Sequence, residues 1–430
     1  MKWHQPRSDV YWFTLKTPKI TKLECDLNLD VAIIGGGVAG LMCAQRIKKY
    51  NKNIRVAIVE SSVCGAGASG KGAGIVTPQA ELGLADLVTT YGDPGGRQIW
   101  EFSKSGVESI RQTIEKRNIN CDYVVQDSLV TVSDHKHYPR IAKEWAIHKK
   151  LGYEAWLYRS DTLNRVIGSR EYDAGVRYKG SFSINGFLFC QELKESLIRD
   201  SVEIFEHTSV VELAAPYIRT ENYTIQAEKI IICTDRFLPR FHMAEESIHH
   251  AQSFLGISAP LQRDTIIKLF PGGSMIARES HLFPYSLRLV QGNRLLITTS
   301  PMLYRYARQK KQVPQHIINS MYKYLDQKFP DVSIKLEYVW PVLIGVTKDF
   351  LPIIGTDSVM RNVYFVGAGG GLSSAAALGE YVADKILEGR HEMDDRLSPQ
   401  RRFFIRGKIQ ALLSKPLAFA ISHGIKRYLQ

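Results

Sequence analysis

Gly35, Gly37 and Gly40, with Glu60 twenty residues beyond, are the residues whose types and spacing could do the most specific chemistry. They read G-x-G-x-x-G followed by an acid, and the chemistry is capture of a diphosphate and a ribose. Gly35 makes the tight turn, Gly37 lets the diphosphate approach the backbone, and Gly40 permits close helix–strand packing. The amides at Val38 and Ala39 open a helix whose N-terminal dipole favours phosphate. Glu60 accepts ribose hydroxyls and would repel a ribose phosphate, which disfavours NADP. A lone glycine motif is weak, so its setting must carry the inference.

The elements around the motif supply that setting. Asp30-VAII forms a short buried strand, residues 41–49 a helix, and IRVAIV (54–59) a second strand that delivers Glu60. Directly after comes SSVCGAGASGKGAGI, too glycine-rich for a helix or strand core, and suited to bringing backbone close to a bulky anion. Ser61, Gly67, Ala68, Ser69, Gly70, Lys71, Gly72, Ala73 and Gly74 are its candidate cofactor contacts. Far along the chain, WPVLIGVTKDFLPIIGTD ends its apolar run at Gly345. NVYFVG then makes another buried strand, and Gly369, Gly370 and Gly371 lead into a small-residue helix starting at Leu372. A second helix N-terminus suits a cofactor with two ends to hold. The segment 209–239 reads as a hairpin and a strand; Val210 or Val211 meets the adenine, and Thr234 passes the diphosphate. Asp235 beside it must turn away from phosphate.

These signals predict an α/β fold: a Rossmann-type, three-layer cofactor domain with a parallel central sheet (27–90, 180–240 and 340–395), and a second α+β domain on an antiparallel sheet (91–179 and 241–339). The second domain has a helical pattern over 97–116 and strands in CDYVVQ, SLVTVS, IIKLFPGG, SMIARES and SLRLVQGNRLLITTS, the last with a Gln291–Gly292–Asn293 turn. Its sheet covers the cofactor and builds the substrate pocket. Arg278, His281, Tyr285 and Arg288 are candidates to touch substrate, with Lys71 beside the cofactor. His249 and His250 lack partners at ligand spacing and read as surface residues, so no metal is expected.

The 430 residues are 44% hydrophobic and 23% charged, ordinary for a folded chain and against disorder or a polytopic membrane protein. Six scattered cysteines make neither a disulfide framework nor a zinc ribbon and suit a reducing compartment. Neither a secretory leader nor a run of eighteen apolar residues occurs, so a cytoplasmic protein is expected. Much of the +13 net charge sits in residues 398–430, which hold seven Lys/Arg and no acid. Ile405, Ile409, Leu412 and Leu413 share a helical face there, before Pro416 and a second stripe. This basic amphipathic tail (396–430) docks on the protein body or a second subunit, or else on the anionic inner face of a membrane. Nucleic acid is disfavoured because aromatic residues are thinly interleaved.

The glycine motifs, Tyr11–Trp12, the GSFSINGFLFCQELKESL segment and the Trp340 segment together resemble the FAD-dependent amine and amino-acid oxidoreductases, such as D-amino-acid oxidase, glycine oxidase, sarcosine oxidase and γ-glutamylputrescine oxidase. The resemblance implies FAD, hydride transfer from a C–H beside nitrogen to flavin N5, and an imine product that water hydrolyses. An amine or N-substituted amino acid is the implied substrate, with O2 or a quinone as electron acceptor. The family's carboxylate-gripping arginine falls at Ile344, which suits polyamine-type substrates. Its flavin-linking cysteine and histidine positions are Val342 and Lys71, implying non-covalent FAD, and its Gly-His pair is Ala368–Gly369. The alternatives are a flavoenzyme acting on a modified tRNA base and a non-catalytic flavoprotein that binds a membrane or partner.

Overall fold

The computed structural model describes residues 5–79, 82–280, 284–299, 303–304, 312–403, 408–414, 417 and 421. Apolar β-branched runs, buried on both faces, form the centre of its first sheet. Strands Val363–Gly367, Thr224–Ile232, Leu27–Ile34, Val56–Val59 and Val202–Phe205 lie parallel in that spatial order. The hairpin Val210–Ala214/Tyr217–Thr220 and the strand Ile353–Thr356 add antiparallel edges. Alternation splits the first strand between two cores. Val31 and Ile33 pack against helices, while Ala32 and Ile34 join Leu238, Met243 and Ile248 on the other face. Helices Val38–Tyr50 and Leu372–Glu388 cross at van der Waals contact, because a Cβ on Gly379 would lie 2.1 Å from the Ala39 carbonyl.

The second sheet is antiparallel except where Met275–Glu279 runs parallel to Asp127–Val132. Its longest ladder joins His249–Ser258 to Leu336–Val346, in register from His249↔Val346 to Leu255↔Trp340 and beyond. Helix Gln315–Lys328 seals one face, its Ile317 and Met321 joining Phe254 of the strand His249–Ser258 in one core. The other face offers Leu255, Trp340 and Val342 towards Trp12 and the glycine-rich loop. The Trp340 segment thus belongs by pairing to this second sheet while reaching across to the first.

Some local expectations are corrected. IIKLFPGG is the helix Arg263–Leu269, its short apolar run being equally compatible with either period. The long helix spans Leu84–Arg117 with a break at Gly92, whose φ of 71° only glycine adopts cheaply. His249 is buried in its strand, and the His250 Nε2 lies 2.9 Å from the Arg236 carbonyl, so neither histidine is a free surface group. All six cysteines are free thiols. The tail's start docks: Arg401 makes a bidentate pair with Asp349 at 2.8 Å and donates to the Leu351 and Pro352 carbonyls. Helix Lys408–Leu413 follows, with Gln410 buried against Lys348 and Ile409 and Leu412 exposed. Ile405 and the second stripe beyond Pro416 lie outside the described residues, apart from Leu417 and Ile421. Among the described residues, no helix is long and apolar enough to cross a membrane.

One buried ion pair ties the glycine-rich loop to the end of a first-sheet strand. Lys194 Nζ lies 3.1 Å from Glu206, both side chains at most 2% exposed, and the other Glu206 oxygen accepts the Cys64 amide at 2.6 Å. Removing one partner of such a pair strands a buried charge. Lys194→Met is therefore expected to lower unfolding free energy by about 3–5 kcal/mol in urea titration, and a loss under 1 kcal/mol would show that water reaches Glu206.

Candidate active site

The parallel strands all deliver their C-terminal ends to one crevice, where ligands of open α/β sheets bind. Gly35 follows the first strand, Glu60 the second, Thr234 the strand Thr224–Ile232, and Ala368 the strand Val363–Gly367. The crevice opens into a cavity of about 710 Å³ that also takes its wall from the second sheet, at Ser253, Leu255, Val342 and Ile344. The two glycine turns and Glu60 therefore share one cavity.

The loop from Cys64 to Gly74 has one short helical turn (Ala68–Lys71) and otherwise no regular structure, so its backbone polar groups need outside partners. Buried side chains provide them. Gln191 Nε2 donates to the Cys64 carbonyl at 2.6 Å, Trp340 Nε1 to Lys71 at 2.9 Å, Trp12 Nε1 to Gly72 at 3.1 Å, and Arg288 Nε to Ala73 at 2.6 Å. The two indoles pack edge to face, 5.9 Å apart. Ser69 Oγ accepts the Val38 amide at 3.1 Å, tying the loop to the start of the first glycine helix.

Asp235 resolves the charge problem its position raised. Its carboxylate accepts the Gly345 amide at 2.9 Å and the Ala368 amide at 3.0 Å. It thereby joins the second sheet's inner strand to the second glycine turn. Asp235 and Ala368 both hold left-handed φ, 51° each, a cost that the surrounding bonds sustain.

FAD fits these residues. Glu60 receives the Gly36 amide at 2.9 Å and the Ser62 amide at 2.8 Å, and carboxylate lone-pair capacity remains for ribose hydroxyls. A Cβ at Gly37 would stand 3.1 Å from Ser69 Oγ, in the space through which a diphosphate approaches. Thr234 Oγ1 and Gln79 Oε1 line the cavity, buried and without a hydrogen-bond partner among the described residues. Those are groups that a polar ligand satisfies.

All the expected cofactor contacts line the cavity except Gly40, Gly70 and Val211. Added Cβ atoms at Gly40 and Gly70 would strike the carbonyls of Gly35 and Gly65 at 2.0 and 2.1 Å, so these two glycines serve packing. Val211 is 51% exposed on its hairpin. Of the expected substrate contacts, Lys71 and Arg278 line the cavity. Arg288 does not: it is buried behind the loop with its donors on the Ala73 and Ile184 carbonyls, and burial lowers its pKa with Asp122 opposing. Tyr285 does not either, since it stacks on Tyr324 at 4.0 Å in the outer core. His281 lies outside the described residues. Sequence reasoning missed Arg236, Phe13 and Gln79 on the wall. Only Arg236 carried a usable signal, its place beside Thr234 and Asp235.

The model of the FAD dependent oxidoreductase family, DAO, matches residues 30–385 of this chain. The chain belongs to that family. A probable oxidoreductase, OrdL, of Haemophilus influenzae is 24% identical over 397 residues, covering 89% of this chain and 86% of the relative. The gamma-glutamylputrescine oxidoreductase of Escherichia coli is 22% identical, covering 86% of each. Glycine oxidase from Geobacillus kaustophilus has the same fold, with TM-score 0.74, 17% identity, and coverage of 87% of this chain and 99% of that one. The family assignment makes FAD the cofactor of this chain.

Two substitutions separate packing from cofactor contact. Asp235→Ala orphans two amides at about 1–3 kcal/mol each and is expected to yield protein with reduced flavin content and lower stability; Asp235→Asn recovers part of both. Gly37→Val is expected to fold with near-wild-type unfolding free energy yet purify colourless. A yellow Gly37→Val protein would remove that glycine from the diphosphate path.

Proposed function

We propose that this protein oxidises the C–N bond of an amine or N-substituted amino acid. The observation that carries the reading is the single cavity, in which the FAD cradle of the first sheet opens directly onto a wall of apolar strand from the second. FAD, held by the glycine turns and Glu60, would supply two-electron oxidation: it would take a hydride at N5 from a substrate C–H beside nitrogen, leaving a C=N bond that water would hydrolyse. The chain's own residues do the rest. Leu255, Val342 and Ile344 keep water from the reacting carbon. Lys71 is fixed by the two indoles on its own and the next carbonyl, with Nζ 5.8 Å from the Phe13 ring centre, and presents a cation at the cavity wall. That cation favours developing negative charge. The family membership and the gamma-glutamylputrescine and glycine oxidising relatives support a nitrogen-bearing substrate.

O2 or a quinone receives the electrons. The exposed Ile409 and Leu412 beside Lys408 support contact of the tail with an anionic membrane, which would favour the quinone.

Anaerobic mixing with an amine and amino-acid library tests the reaction: at least one compound is expected to bleach the flavin, and none doing so would sink the reading. The pH profile adds a second check. The substrate nitrogen must be neutral to release hydride, so kcat/KM rises with pH through the amine pKa. Burial first, and Arg236 next, hold the Lys71 pKa below the ordinary lysine value of 10.5. Lys71 is charged below its lowered pKa and neutral above it, so a step that uses its charge fades as pH rises, starting short of 10.5. The profile is expected to be bell-shaped, and Lys71→Met to lose the falling limb; persistence of that limb in the variant would exclude Lys71.

A further inference from the structure

Residues 347–351 form a tight turn that borders the cavity at Thr347 and Phe350. The Phe350 amide donates to the Thr347 carbonyl at 3.3 Å. The Asp349 carboxylate accepts the Leu351 amide at 3.2 Å and the Thr347 hydroxyl at 3.0 Å. Phe350 holds a φ of 60°, a left-handed conformation that glycine adopts freely and a bulky residue does not. Such a backbone persists only where its surroundings over-determine it. The whole turn is buried, so its polar groups need partners inside the protein.

The tail supplies them. Arg401 forks onto both Asp349 oxygens at 2.8 Å, and the same guanidinium donates to the Leu351 and Pro352 carbonyls at 2.8 and 3.0 Å. Those two side chains are 8% and 6% exposed, and a buried bidentate pair fixes geometry as well as charge. The centre of the Phe403 ring lies 5.1 Å from the Arg401 guanidinium and 5.4 Å from Lys348 Nζ. Gln410 accepts from Lys348 Nζ and donates to the Glu246 carbonyl at 3.3 Å. Arg401 lies past residues 30–385 that the family model matches, so this bracing is no part of the matched core. Phe350 also borders a second void of about 20 Å³, together with Leu87, Ile99, Phe102 and Leu397. It thus stands between the cavity and an apolar space, at the point where the tail attaches.

We infer that Phe350 is a specificity-determining residue that closes the substrate cavity against long or bulky groups on the amine, and that Arg401 is the positioning residue that keeps it there. For the class of substrate this rests on the amine-oxidation reading; the wall itself needs only the cavity. Losing the Arg401 guanidinium frees the turn to leave its left-handed conformation, which withdraws Phe350 from the wall. Removing the Phe350 side chain joins the void to the cavity. Either change lengthens the space that a substrate can fill, and the added space is lined by hydrocarbon.

The test uses the purified holoprotein and a series of n-alkylamines from ethylamine to octylamine, with the matching n-alkanols as uncharged controls, followed through the perturbation of flavin absorbance. In the wild type, affinity is expected to rise with chain length and then level off. In Phe350→Gly, whose backbone also loses its strain, the rise is expected to continue, by about fourfold for each further methylene that the opened space buries. Arg401→Gln should move the plateau the same way at unchanged flavin content. Arg401→Lys should move it less, and Phe350→Leu little. The double variant should go no further than Phe350→Gly, because Arg401 acts through that residue. Identical chain-length profiles in wild type and Phe350→Gly overturn the wall. A lower melting temperature in Arg401→Gln with an unmoved plateau overturns the positioning role and leaves a merely structural pair. If no amine or amino acid bleaches the flavin while the alkanol plateau still depends on Phe350, the oxidation reading falls and the wall stands.

Discussion

The architecture depends on satisfying the backbone of one nearly unstructured loop. Residues 64–74 approach the cofactor cavity too closely to carry side chains, so they are mostly glycine, alanine and serine and make almost no ladder or helix bonds of their own. Buried away from water, each unpaired carbonyl would cost free energy. The fold answers with donors from distant positions: Trp12 near the start of the described chain, Gln191 in the helix Gly186–Arg199, Arg288 in one strand of the second sheet and Trp340 in another. The loop is therefore where both sheets are joined, and its rigidity comes from partners that lie up to hundreds of positions away.

Charge follows the same logic. The acids that border the cavity are held by backbone amides, Glu60 at Gly36 and Ser62, Asp235 at Gly345 and Ala368. Held this way they act as structural acceptors. Elsewhere buried carboxylates also cap or anchor: Glu144 receives the amides of Leu84 and Ala85 at the start of the long helix, and Glu206 receives that of Cys64. The basic groups Lys71, Arg236 and Arg278 line the same cavity, and the Asp235 charge acts on Arg236.

The cofactor half was largely legible in the chain because its chemistry is carried by backbone. Phosphate contact needs glycine at particular positions, and glycine is visible in a sequence. The substrate half was less legible. Arg288 sits on a strand like Arg278, and Tyr285 comes just before the strand Ser286–Val290, but a strand presents successive residues to opposite faces, and the sequence does not mark which face meets the cavity. Arg288 points to loop carbonyls and Tyr285 to the outer core, leaving Arg278 on the wall. IIKL was misassigned for a related reason, since a four-residue apolar run has no period of its own.

Local chemistry in the sequence determined the strand–glycine–helix unit, the acid twenty residues beyond it, the second glycine turn and hence an extended cofactor, because each of these is a short-range arrangement of residue types. Tertiary structure alone decided that Trp12, Trp340 and Arg288 would hold one loop, that Asp235 would face backbone, and that Arg236 would face the cavity. Those outcomes depend on which distant segments pack together. Packing is set by the whole core, and no window of the chain encodes it.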